Sequence, residues 1–496
     1  MPPKLLRDYL DALGNAVTAF SGDPDTVITG AAGDSRSIQP GNLFVAIRGA
    51  KMDGAAFVAD ALKAGAGAVV AEQPVDLPDN VPFIQVKNGY VAAGRIAETA
   101  ADCPAAAMNI LGITGTNGKT TCAYFLRDVL RAAGSNVGMI GTIQYEIGDD
   151  IRPAERTTPT PFELQKLFAA MRQAGVDTVV MEVSSHALDQ RRPGTARFAA
   201  GLFTNLTRDH GDYHKTRASY FAAKKVLFEE YLEKDAPAVV NADDACGRQL
   251  LEELNVRENG PRPLGFGYAE DAQYRIHHAH ASLDGIAFQL DATSRTLNIR
   301  SPVIGPFNIE NLAGCLALAD AYGIDAETAG RVAAQFRGPP GRLQPLTSPD
   351  GVKAFVDYAH TDDALNNVLQ TLRELEPKRL FVLFGCGGDR DRSKRPLMAR
   401  VAATLADRVY VTSDNPRSED PRAIIADVRR GIPEDMEAVC VPDRREAIGQ
   451  AVADAAPGDI ILVAGKGHET YQEIGGEKHP FSDVAEVQHA LATRPA

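Results

Sequence analysis

The segment NILGITGTNGKTTCAYFLRDVLRAAG, residues 109–134, decides the fold. An apolar run enters a glycine-rich turn, and a helical pattern follows at once. In that order the glycines let backbone N–H groups surround phosphate oxygens, and the helix N-terminus adds positive potential. The segment therefore predicts a phosphate-binding loop between a strand and a helix of an α/β fold.

The predicted phosphate loop comprises Gly115, Thr116, Asn117, Gly118, Lys119, Thr120 and Thr121. Lys119 is expected to reach the β- and γ-phosphates of a nucleotide, and Thr120 is expected to hold Mg²⁺. The pattern departs from G-x-x-x-x-G-K-[ST], because Ile113 stands at the first glycine position and Gly112 lies one residue early. The alternative is a chance turn, and the strand–turn–helix context argues against it. A GTPase is disfavoured because no Asn-Lys-x-Asp motif occurs.

Length and composition set outer limits on the function. With 496 residues, the chain is expected to form two to four domains of roughly 100–200 residues. The net charge of −13 argues against nucleic acid as the main partner, although local Arg and Lys can still bind small anions. The six scattered cysteines are typical of reduced thiols in the cytosol. No signal-peptide pattern and no apolar run of about 18 residues occurs, so we expect a cytoplasmic protein without membrane insertion.

Three regions differ in their pattern. Residues 1–104 contain short strands and a helix in βαβ-like order, and residues 105–338 begin with the phosphate loop and alternate strands with helices. Near 265–300 the pattern changes to that of antiparallel hairpins. The break GPPGRLQPL (338–346) precedes residues 339–496, where four apolar strands end in polar clusters with helical segments between them. We expect a three-domain α/β chain whose last domain is doubly wound.

Further candidate residues follow the strands of the middle region. Glu182 ends the strand of VVMEVSSH, and His210 lies in TNLTRDHGDYH. Mg²⁺ prefers oxygen ligands, so Glu182 is the better metal candidate and His210 would be unusual. Lys224 and Lys225 lie on one predicted helix, and composition does not choose between them.

Three histidines, His277, His278 and His280, lie close together in a predicted strand. Strand alternation places His278 and His280 on one face and His277 on the other. No neighbouring carboxylate or cysteine completes a ligand set in the sequence. We therefore expect an exposed hairpin here and no metal site.

The segment VYVTSDNPRSED, residues 409–420, poses a different question. Its β-branched run stops at Asp414-Asn415-Pro416-Arg417, and the first three of these residue types favour turns. Arg417, however, follows the carboxyl end of a predicted strand, which is where ligands bind in open α/β sheets. The segment is either a turn alone or a loop that binds a carboxylate.

Taken together, these motifs resemble those of the Mur ligase family, the ATP-dependent amide-forming enzymes of peptidoglycan precursor synthesis. Within that family the pattern is most similar to members that add meso-diaminopimelate to UDP-N-acetylmuramoyl-L-alanyl-D-glutamate. The resemblance covers essentially the whole chain. It rests on DSRSIQPGNLFVAIRGAKMDGAAF (34–57), GITGTNGKTT (112–121), MEVSSHAL (181–188), NLTRDHGDYH (205–214), FNIENLAG (307–314), DYAHTDDAL (357–365), GCGGDRDRSKRPLM (385–398), DNPR (414–417) and GKGHETYQ (465–472).

The resemblance implies a domain for the UDP-sugar (1–104), a central ATP-binding domain (105–338) and an amino-acid-binding domain (339–496). It implies metal-site roles for Glu182 and His210. It also identifies Lys224 as the position of a carbamylated lysine, whose carboxylate would hold a second Mg²⁺. Contacts to the nucleotide sugar and its peptide are implied for Ser35, Thr157, Thr158, Ser184, Gln190 and Arg192.

The resemblance further implies adenosine-side contacts from Asn308, Asn311, Arg342, Asp357 and His360, and diaminopimelate contacts from Arg390, Asp414, Asn415, Pro416, Arg417, Gly465 and Glu469. A guanidinium fork at Arg417 would hold the carboxylate that distinguishes diaminopimelate from lysine. The sequence departs from the family pattern at two places: Asp362 stands where the family has Pro, and GRLQPL is a divergent stretch.

The implied reaction transfers the γ-phosphate of ATP to the D-glutamate carboxylate, and an amine of diaminopimelate then attacks the acyl phosphate. A monomer is expected. Three alternatives remain: a folylpolyglutamate synthase, a P-loop protein that uses ATP as a switch, and a Mur ligase that adds lysine. The N-terminal region with Asp34-Ser35-Arg36 argues against the first, and the metal candidates argue against the second.

Overall fold

The computed structural model describes residues 3–49, 52–207, 209, 213–292 and 295–494. The chain divides into two compact units. The first comprises Met1–His277, Leu290–Leu297 and Glu310–Val332, and the second comprises His278–Gln289, Asn298–Ile309 and Ala333–Ala496. Within the described ranges, no helix has both the length and the apolarity that crossing a membrane requires.

The N-terminal part of the first unit is built on a five-stranded sheet of order β2-β7-β6-β5-β4, in which only β2 runs antiparallel to its neighbour. Strand β5 is buried on both faces, because Leu43 and Val45 join one apolar cluster while Phe44 and Ala46 join another. The elements are β1 Lys4–Leu5, α1 Leu6–Leu13, β2 Val17–Ser21, β3 Val27–Ile28, β4 Gly30–Ala32, β5 Asn42–Ala46, α2 Val58–Lys63, β6 Ala68–Ala71, β7 Phe83–Val86 and α3 Gly89–Ala100.

The rest of the first unit is built around strand β8, at the centre of the order β11-β10-β9-β12-β8-β13-β14-β15. Strands β9, β12, β8, β13, β14 and β15 are parallel, so their carboxyl ends meet at one edge. The elements are β8 Asn109–Thr114, α4 Lys119–Ala132, β9 Val137–Ile140, β10 Gln144–Ile147, β11 Asp150–Pro153, α5 Pro161–Gln173, β12 Thr178–Glu182, α6 Ser185–Asp189, β13 Ala200–Phe203, α7 Arg217–Val226, β14 Pro237–Asn241, α8 Ala245–Asn255 and β15 Arg262–Gly267.

The division between the units passes through the next three strands and helix α9. These elements are β16 Tyr274–Ser282, β17 Gly285–Ala292, β18 Arg295–Ser301, α9 Phe307–Ala321 and α10 Ala326–Gln335. The predicted hairpin region is thus formed by strands, and His278 and His280 are exposed. His278 has φ +47°, which interrupts the expected alternation. The sequence reading also missed Asp291, whose Oδ2 lies 2.7 Å from His277 Nε2.

The C-terminal part of the second unit is a six-stranded sheet of order β19-β20-β24-β21-β22-β23, parallel except for β19. Apolar clusters cover both faces, and this confirms the predicted doubly wound α/β domain. The elements are β19 Gln344–Thr347, β20 Lys353–Asp357, α11 Asp362–Glu374, β21 Leu380–Phe384, α12 Lys394–Leu405, β22 Arg408–Val411, α13 Pro421–Arg429, β23 Ala438–Cys440, α14 Arg444–Asp454, β24 Ile460–Ala464, β25 Tyr471–Ile474, β26 Glu477–Pro480 and α15 Asp483–Ala492.

Candidate functional site

The glycine-rich turn lies between β8 and α4, as the sequence predicts. Gly118 has φ +85°, a conformation that favours glycine, and Lys119 begins α4. A Cβ on Gly115 would lie 1.9 Å from Thr204 Oγ1, and one on Gly118 would lie 2.1 Å from Asn311 Oδ1. Gly112 has a different role, because a Cβ there would lie 2.7 Å from the Phe198 ring inside the core. The turn therefore forms around Gly115 and Gly118, although Ile113 stands at the first glycine position of the motif.

Lys119 folds back over the loop. Its Nζ donates to the carbonyl oxygens of Gly115 at 2.9 Å and Thr116 at 2.8 Å. The ammonium therefore stands beside the loop and the helix N-terminus, where an anion is favoured.

Two residues at the carboxyl end of β13, missed by the sequence analysis, shape the same loop. Thr204 Oγ1 donates to the Asn117 carbonyl oxygen at 2.6 Å. Asn205 Oδ1 accepts the Asn117 N–H at 2.9 Å, and the Asn205 carbonyl accepts the Thr116 N–H at 2.9 Å. Their position in the sequence could have indicated this role, because both residues directly follow β13, a buried strand that pairs with β8.

Glu182 lies fully buried at the carboxyl end of β12. Its Oε2 accepts from Thr120 Oγ1 at 3.1 Å and from Thr142 Oγ1 at 3.0 Å, and its Oε1 accepts the Thr142 N–H at 2.9 Å. A carboxylate and a hydroxyl beside a phosphate loop fit the preference of Mg²⁺ for oxygen ligands. Thr142 was not predicted, and the predicted ligand His210 lies outside the described residues.

Lys224 is buried against the phosphate loop, with an exposed fraction of 1%. Its Nζ donates to the Gly115 carbonyl at 2.7 Å and lies 4.6 Å from the centre of the Tyr220 ring. Burial lowers the pKa of Lys224 well below its ordinary value, and the charge of Lys119 lowers it further. The Tyr220 hydroxyl lies 3.2 Å from Thr116 Oγ1, so this tyrosine contacts both the lysine and the loop.

Lys225 occupies a different environment, although it is the next residue along α7. Its Nζ lies 2.6 Å from Glu253 Oε2 and 3.4 Å from Glu229 Oε1. Burial acts to lower the pKa of Lys225, but the hydrogen bond to Glu253 and the charge of Glu229 outweigh it and raise the pKa. The structure thus separates two lysines that composition left equivalent.

Several predicted nucleotide-peptide residues form one cluster around the main chain of Glu182. Thr158 Oγ1 donates to the Glu182 carbonyl at 2.8 Å and accepts the Ser184 N–H at 3.1 Å. Arg192 donates from Nη1 to the Thr158 carbonyl at 2.5 Å and from Nη2 to Gln190 Oε1 at 2.9 Å. Burial lowers the pKa of Arg192 from its ordinary value.

Two other members of this predicted set are placed differently. Thr157 Oγ1 lies 3.0 Å from Thr142 Oγ1, at the edge of the Glu182 cluster. Ser35 begins a short 3₁₀ turn in the N-terminal part, where the Asp34 carboxylate accepts the Arg36 N–H at 3.0 Å. Tyr213 was missed and extends the cluster, since Gln190 Nε2 donates to its hydroxyl oxygen at 3.2 Å.

The predicted adenosine-side residues fall in both units. Asn311, in the first unit, places its Oδ1 in the space that a Cβ on Gly118 would need, and its main-chain oxygen lies 3.6 Å from Cys122 Sγ. Asn308, in the second unit, donates from Nδ2 to the Ile304 carbonyl at 2.8 Å.

Three further adenosine-side residues gather around Tyr358 in the second unit. The Arg342 guanidinium lies 5.1 Å from the centre of the Tyr358 ring, and the His360 Nδ1 lies 2.8 Å from the Tyr358 carbonyl oxygen. Asp357 is buried at the end of β20 and accepts the Ala359 N–H at 2.8 Å. Burial raises the pKa of Asp357 and lowers that of His360.

Asn415, in the loop after β22, is the centre of a buried polar network. Its Oδ1 accepts from Lys466 Nζ at 3.0 Å and from the Glu473 N–H at 2.9 Å, while its Nδ2 donates to Glu469 Oε2 at 2.9 Å. Lys466 is fully buried and also donates to Glu469 Oε2 at 2.9 Å. Asn415 and Glu469 were predicted together, whereas Lys466 was missed.

Arg417 closes the same loop in a left-handed conformation, with φ +53°. Its Nη1 donates to the Gly388 carbonyl at 2.8 Å, and its Nε lies 3.2 Å from Glu473 Oε2 in an ion pair. The Pro416 carbonyl accepts the Glu419 N–H at 3.0 Å, so the segment does form a turn as well. Arg390 is exposed, and its Nη1 lies 3.4 Å from the Asp389 carbonyl oxygen.

Asp414 and Gly465 lie against each other at the ends of β22 and β24. A Cβ on Gly465 would lie 2.6 Å from Asp414 Oδ2, so the approach requires glycine. The fully buried Arg444 donates to the carbonyl oxygens of the preceding residues, Ser413 at 3.2 Å and Ala464 at 2.9 Å. An ion pair with Asp483 at 2.7 Å neutralises the Arg444 charge, and the two hydrogen bonds from Arg444 join the strand ends.

Three family models match the chain in sequence order. They are the Mur ligase family catalytic domain at residues 27–114, the Mur ligase middle domain at 113–319 and the Mur ligase glutamate ligase domain at 341–467. The two sheets that carry the phosphate loop and Arg417 therefore lie in the middle and C-terminal domains of the three-domain Mur ligase architecture.

Individual proteins and structures give the same result. The chain is 44% identical to the UDP-N-acetylmuramoyl-L-alanyl-D-glutamate–2,6-diaminopimelate ligase of Solibacter usitatus, over 94% of each chain. A solved structure of a ligase of that name matches with a TM-score of 0.69 at 33% identity, covering 97% of this chain and 98% of the other. The folylpolyglutamate synthase of Mycobacterium tuberculosis shares the fold alone, with a TM-score of 0.59 at 20% identity over 76% of this chain and 92% of its own. By the family models and by this identity over nearly its whole length, the chain belongs to the Mur ligase family.

Proposed function

We propose that this Mur ligase adds meso-2,6-diaminopimelate to the D-glutamate of UDP-N-acetylmuramoyl-L-alanyl-D-glutamate, with ATP cleaved to ADP and phosphate. The observation that carries the amino-acid choice is Arg417, whose guanidinium is held by Glu473 and the Gly388 carbonyl in the loop that follows β22 of a parallel sheet. The name of the Solibacter usitatus relative supports the same choice. The reaction belongs to peptidoglycan precursor synthesis and is assigned to a cytoplasmic monomer.

Each domain is assigned one substrate. Residues 1–104 bind the UDP-sugar end, residues 105–338 bind ATP, and residues 339–496 bind the amino acid. Thr157, Thr158, Ser184, Gln190 and Arg192 position the peptide end of the nucleotide sugar, and Ser35 contacts the uridine diphosphate. Asn308, Asn311, Arg342, Asp357 and His360 contact the adenosine side of ATP.

The chemical difficulty is that the γ-phosphate of ATP and the D-glutamate carboxylate are both anionic. The N-terminus of α4 and the Lys119 ammonium offset that charge from positions already fixed at the loop. Thr120, Glu182, His210 and a carbamate on Lys224 would hold two Mg²⁺ ions. Those ions would supply further neutralisation of the phosphate charge.

Lys224 is suited to carbamylation by its surroundings. The modification joins a neutral amine to CO₂ with loss of a proton, and burial beside Lys119 favours the neutral amine. The product carries a carboxylate in place of an ammonium, against the phosphate loop beside the Gly115 carbonyl. Lys225 lacks this environment because two glutamates hold its charge.

The reaction then proceeds in two steps. A carboxylate oxygen of D-glutamate attacks the γ-phosphorus, and ADP leaves as the acyl phosphate forms. The amine of diaminopimelate attacks the acyl carbon, loses a proton, and phosphate leaves from the tetrahedral intermediate. Arg390, the loop Asp414-Asn415-Pro416-Arg417, Gly465 and Glu469 hold the amino acid for this attack.

A phosphate-release assay tests the proposal. We expect release only when ATP, the nucleotide dipeptide and meso-diaminopimelate are all present, with L-lysine a poor substitute. Release from ATP alone would favour a nucleotide switch, and equal rates with L-lysine would favour a lysine-adding ligase. Activity on a folate polyglutamate acceptor in place of the nucleotide dipeptide would favour a folylpolyglutamate synthase.

A further inference from the structure

A two-stranded hairpin holds the Arg417 loop from outside the main sheet of the second unit. This hairpin comprises β25 and β26, residues 471–480. Its main chain brackets Arg417, because the Arg417 N–H donates to the Glu473 carbonyl at 3.0 Å and the Gly475 N–H donates to the Arg417 carbonyl at 2.7 Å. Both backbone polar groups of Arg417 are thus bonded to the hairpin.

This bracketing explains how Arg417 keeps an unfavourable conformation. Its φ of +53° is uncommon for a residue other than glycine and is strained. A strained residue persists only where its neighbours fix it, and two hydrogen bonds from the hairpin do so here. The Glu473 N–H also donates to Asn415 Oδ1 at 2.9 Å, so the hairpin is bonded to the loop two residues earlier as well.

The guanidinium itself is held on two sides. Glu473 Oε2 lies 3.2 Å from Nε, and the Gly388 carbonyl accepts from Nη1 at 2.8 Å. A Cβ on Gly387 would lie 2.9 Å from Nη1, so the group fills a space that only glycine leaves open. Among the described residues, Glu473 holds the guanidinium at Nε and the Gly388 carbonyl holds it at Nη1, which leaves the Nη2 protons for a carboxylate of the ligand.

We propose that Glu473 is a positioning residue for diaminopimelate recognition, acting through Arg417. This inference rests on the proposed function. The carboxylate of Glu473 fixes the guanidinium in the orientation that the far carboxylate of diaminopimelate requires. The side chain is therefore ordered before the ligand arrives, and binding avoids the cost of ordering it.

A positioning role for Glu473 and a purely electrostatic role predict opposite changes in the KM for diaminopimelate. Removing an anion beside a site for a carboxylate should strengthen binding if only net charge matters. Loss of positioning should instead weaken binding of diaminopimelate. For Glu473→Ala we expect the KM for diaminopimelate to rise roughly 2- to 10-fold, the range that corresponds to ordering one long side chain. The KM for ATP should not change.

The experiment compares Glu473→Ala and Glu473→Gln with Glu477→Ala, which alters an exposed glutamate on the same hairpin. Glu473→Gln keeps an acceptor oxygen and should give an intermediate KM, and Glu477→Ala should match the wild type. In an Arg417→Ala background, Glu473→Ala should add no further rise, because the two residues act in series. Thermal unfolding of each variant separates loss of positioning from loss of fold.

Results that overturn the role of Glu473 differ from results that overturn the proposed function. An unchanged or lowered KM for diaminopimelate in a folded Glu473→Ala variant would overturn the inference while leaving the proposed function standing. An equal rise in KM in the Arg417→Ala background would also overturn it. A wild-type chain that does not use diaminopimelate would overturn both.

Discussion

The phosphate loop after β8 and the Arg417 loop after β22 are both strand-end sites, but they are built differently. The first is made mainly from adjacent residues, because its glycine conformations and Lys119 all lie within 115–119, and Thr204 and Asn205 add support from the end of β13. The second depends on Gly388, Lys466 and Glu473, which come from separate segments. A site encoded locally can be recognised in a sequence, whereas a site assembled from distant segments shows only some of its residues there.

The largest expected effect is at the local site. We expect Lys119→Ala to lower the ligation rate by on the order of 10²–10³-fold or more, because the variant lacks a positioned charge for the transferring phosphate. Steady-state phosphate release measures the rate, and circular dichroism checks that the fold is retained. Lys63→Ala, at an exposed helix position, is the control. A Lys119→Ala protein that keeps its ligation rate would remove the phosphate loop from the mechanism.

The next effect distinguishes the neighbouring lysines of α7. Lys224→Ala should be inactive and partly rescued by an added short carboxylic acid, because the variant lacks the proposed carbamate. Lys225→Ala should remain active, since Lys225 is paired with Glu253 and Glu229 away from the loop. A ¹³C NMR signal of a carbamate after incubation with labelled bicarbonate should be present in Lys225→Ala and absent in Lys224→Ala. Equal inactivity of both variants would contradict the assignment of Lys224.

In the second unit, the buried Arg444–Asp483 ion pair beside the Arg417 loop is expected to matter more for stability than for the reaction. Arg444→Met removes one partner of a fully buried ion pair and leaves Asp483 unpaired, which costs about 3–5 kcal/mol of unfolding free energy. Urea unfolding measures the loss. The control is Arg445→Met, the next residue, whose pairing with Glu486 is at the surface and should change stability little. Equal stability of the two variants would mean that Arg444 does not hold the ends of β22 and β24.

The fold was largely predictable from local patterns. The strand–turn–helix of 109–134 and the four apolar strands of the last domain are present where the sequence predicts them. The departure at Ile113 could not be interpreted from sequence, because the role of Gly112 depends on contact with Phe198, a residue distant in sequence. The sequence also did not predict that segments 278–289 and 298–309 belong to the second compact unit, since that grouping depends on tertiary contacts.

The candidate site was predictable only in part. Residues inside motifs, such as Lys119, Glu182 and Arg417, were found because residue type and position after a strand carry the signal. Thr142, Thr204, Asn205, Lys466 and Glu473 were missed because their contacts cross the sheet or join distant segments. Burial and ion pairing separate Lys224 from Lys225, and both depend on how the helix packs. The role of His210 remains a prediction.

The central claim is that this chain adds diaminopimelate and that Arg417 recognises it. The most direct measurement is the KM for meso-diaminopimelate in Arg417→Ala, with Arg422→Ala, an exposed position on α13, as control. Loss of hydrogen bonds to a charged group, about 1.5–3 kcal/mol, predicts a rise of roughly 10- to 100-fold. The KM for ATP should stay unchanged. An unchanged KM for diaminopimelate in the folded variant would contradict the account and would reduce the segment Asp414–Arg417 to a turn.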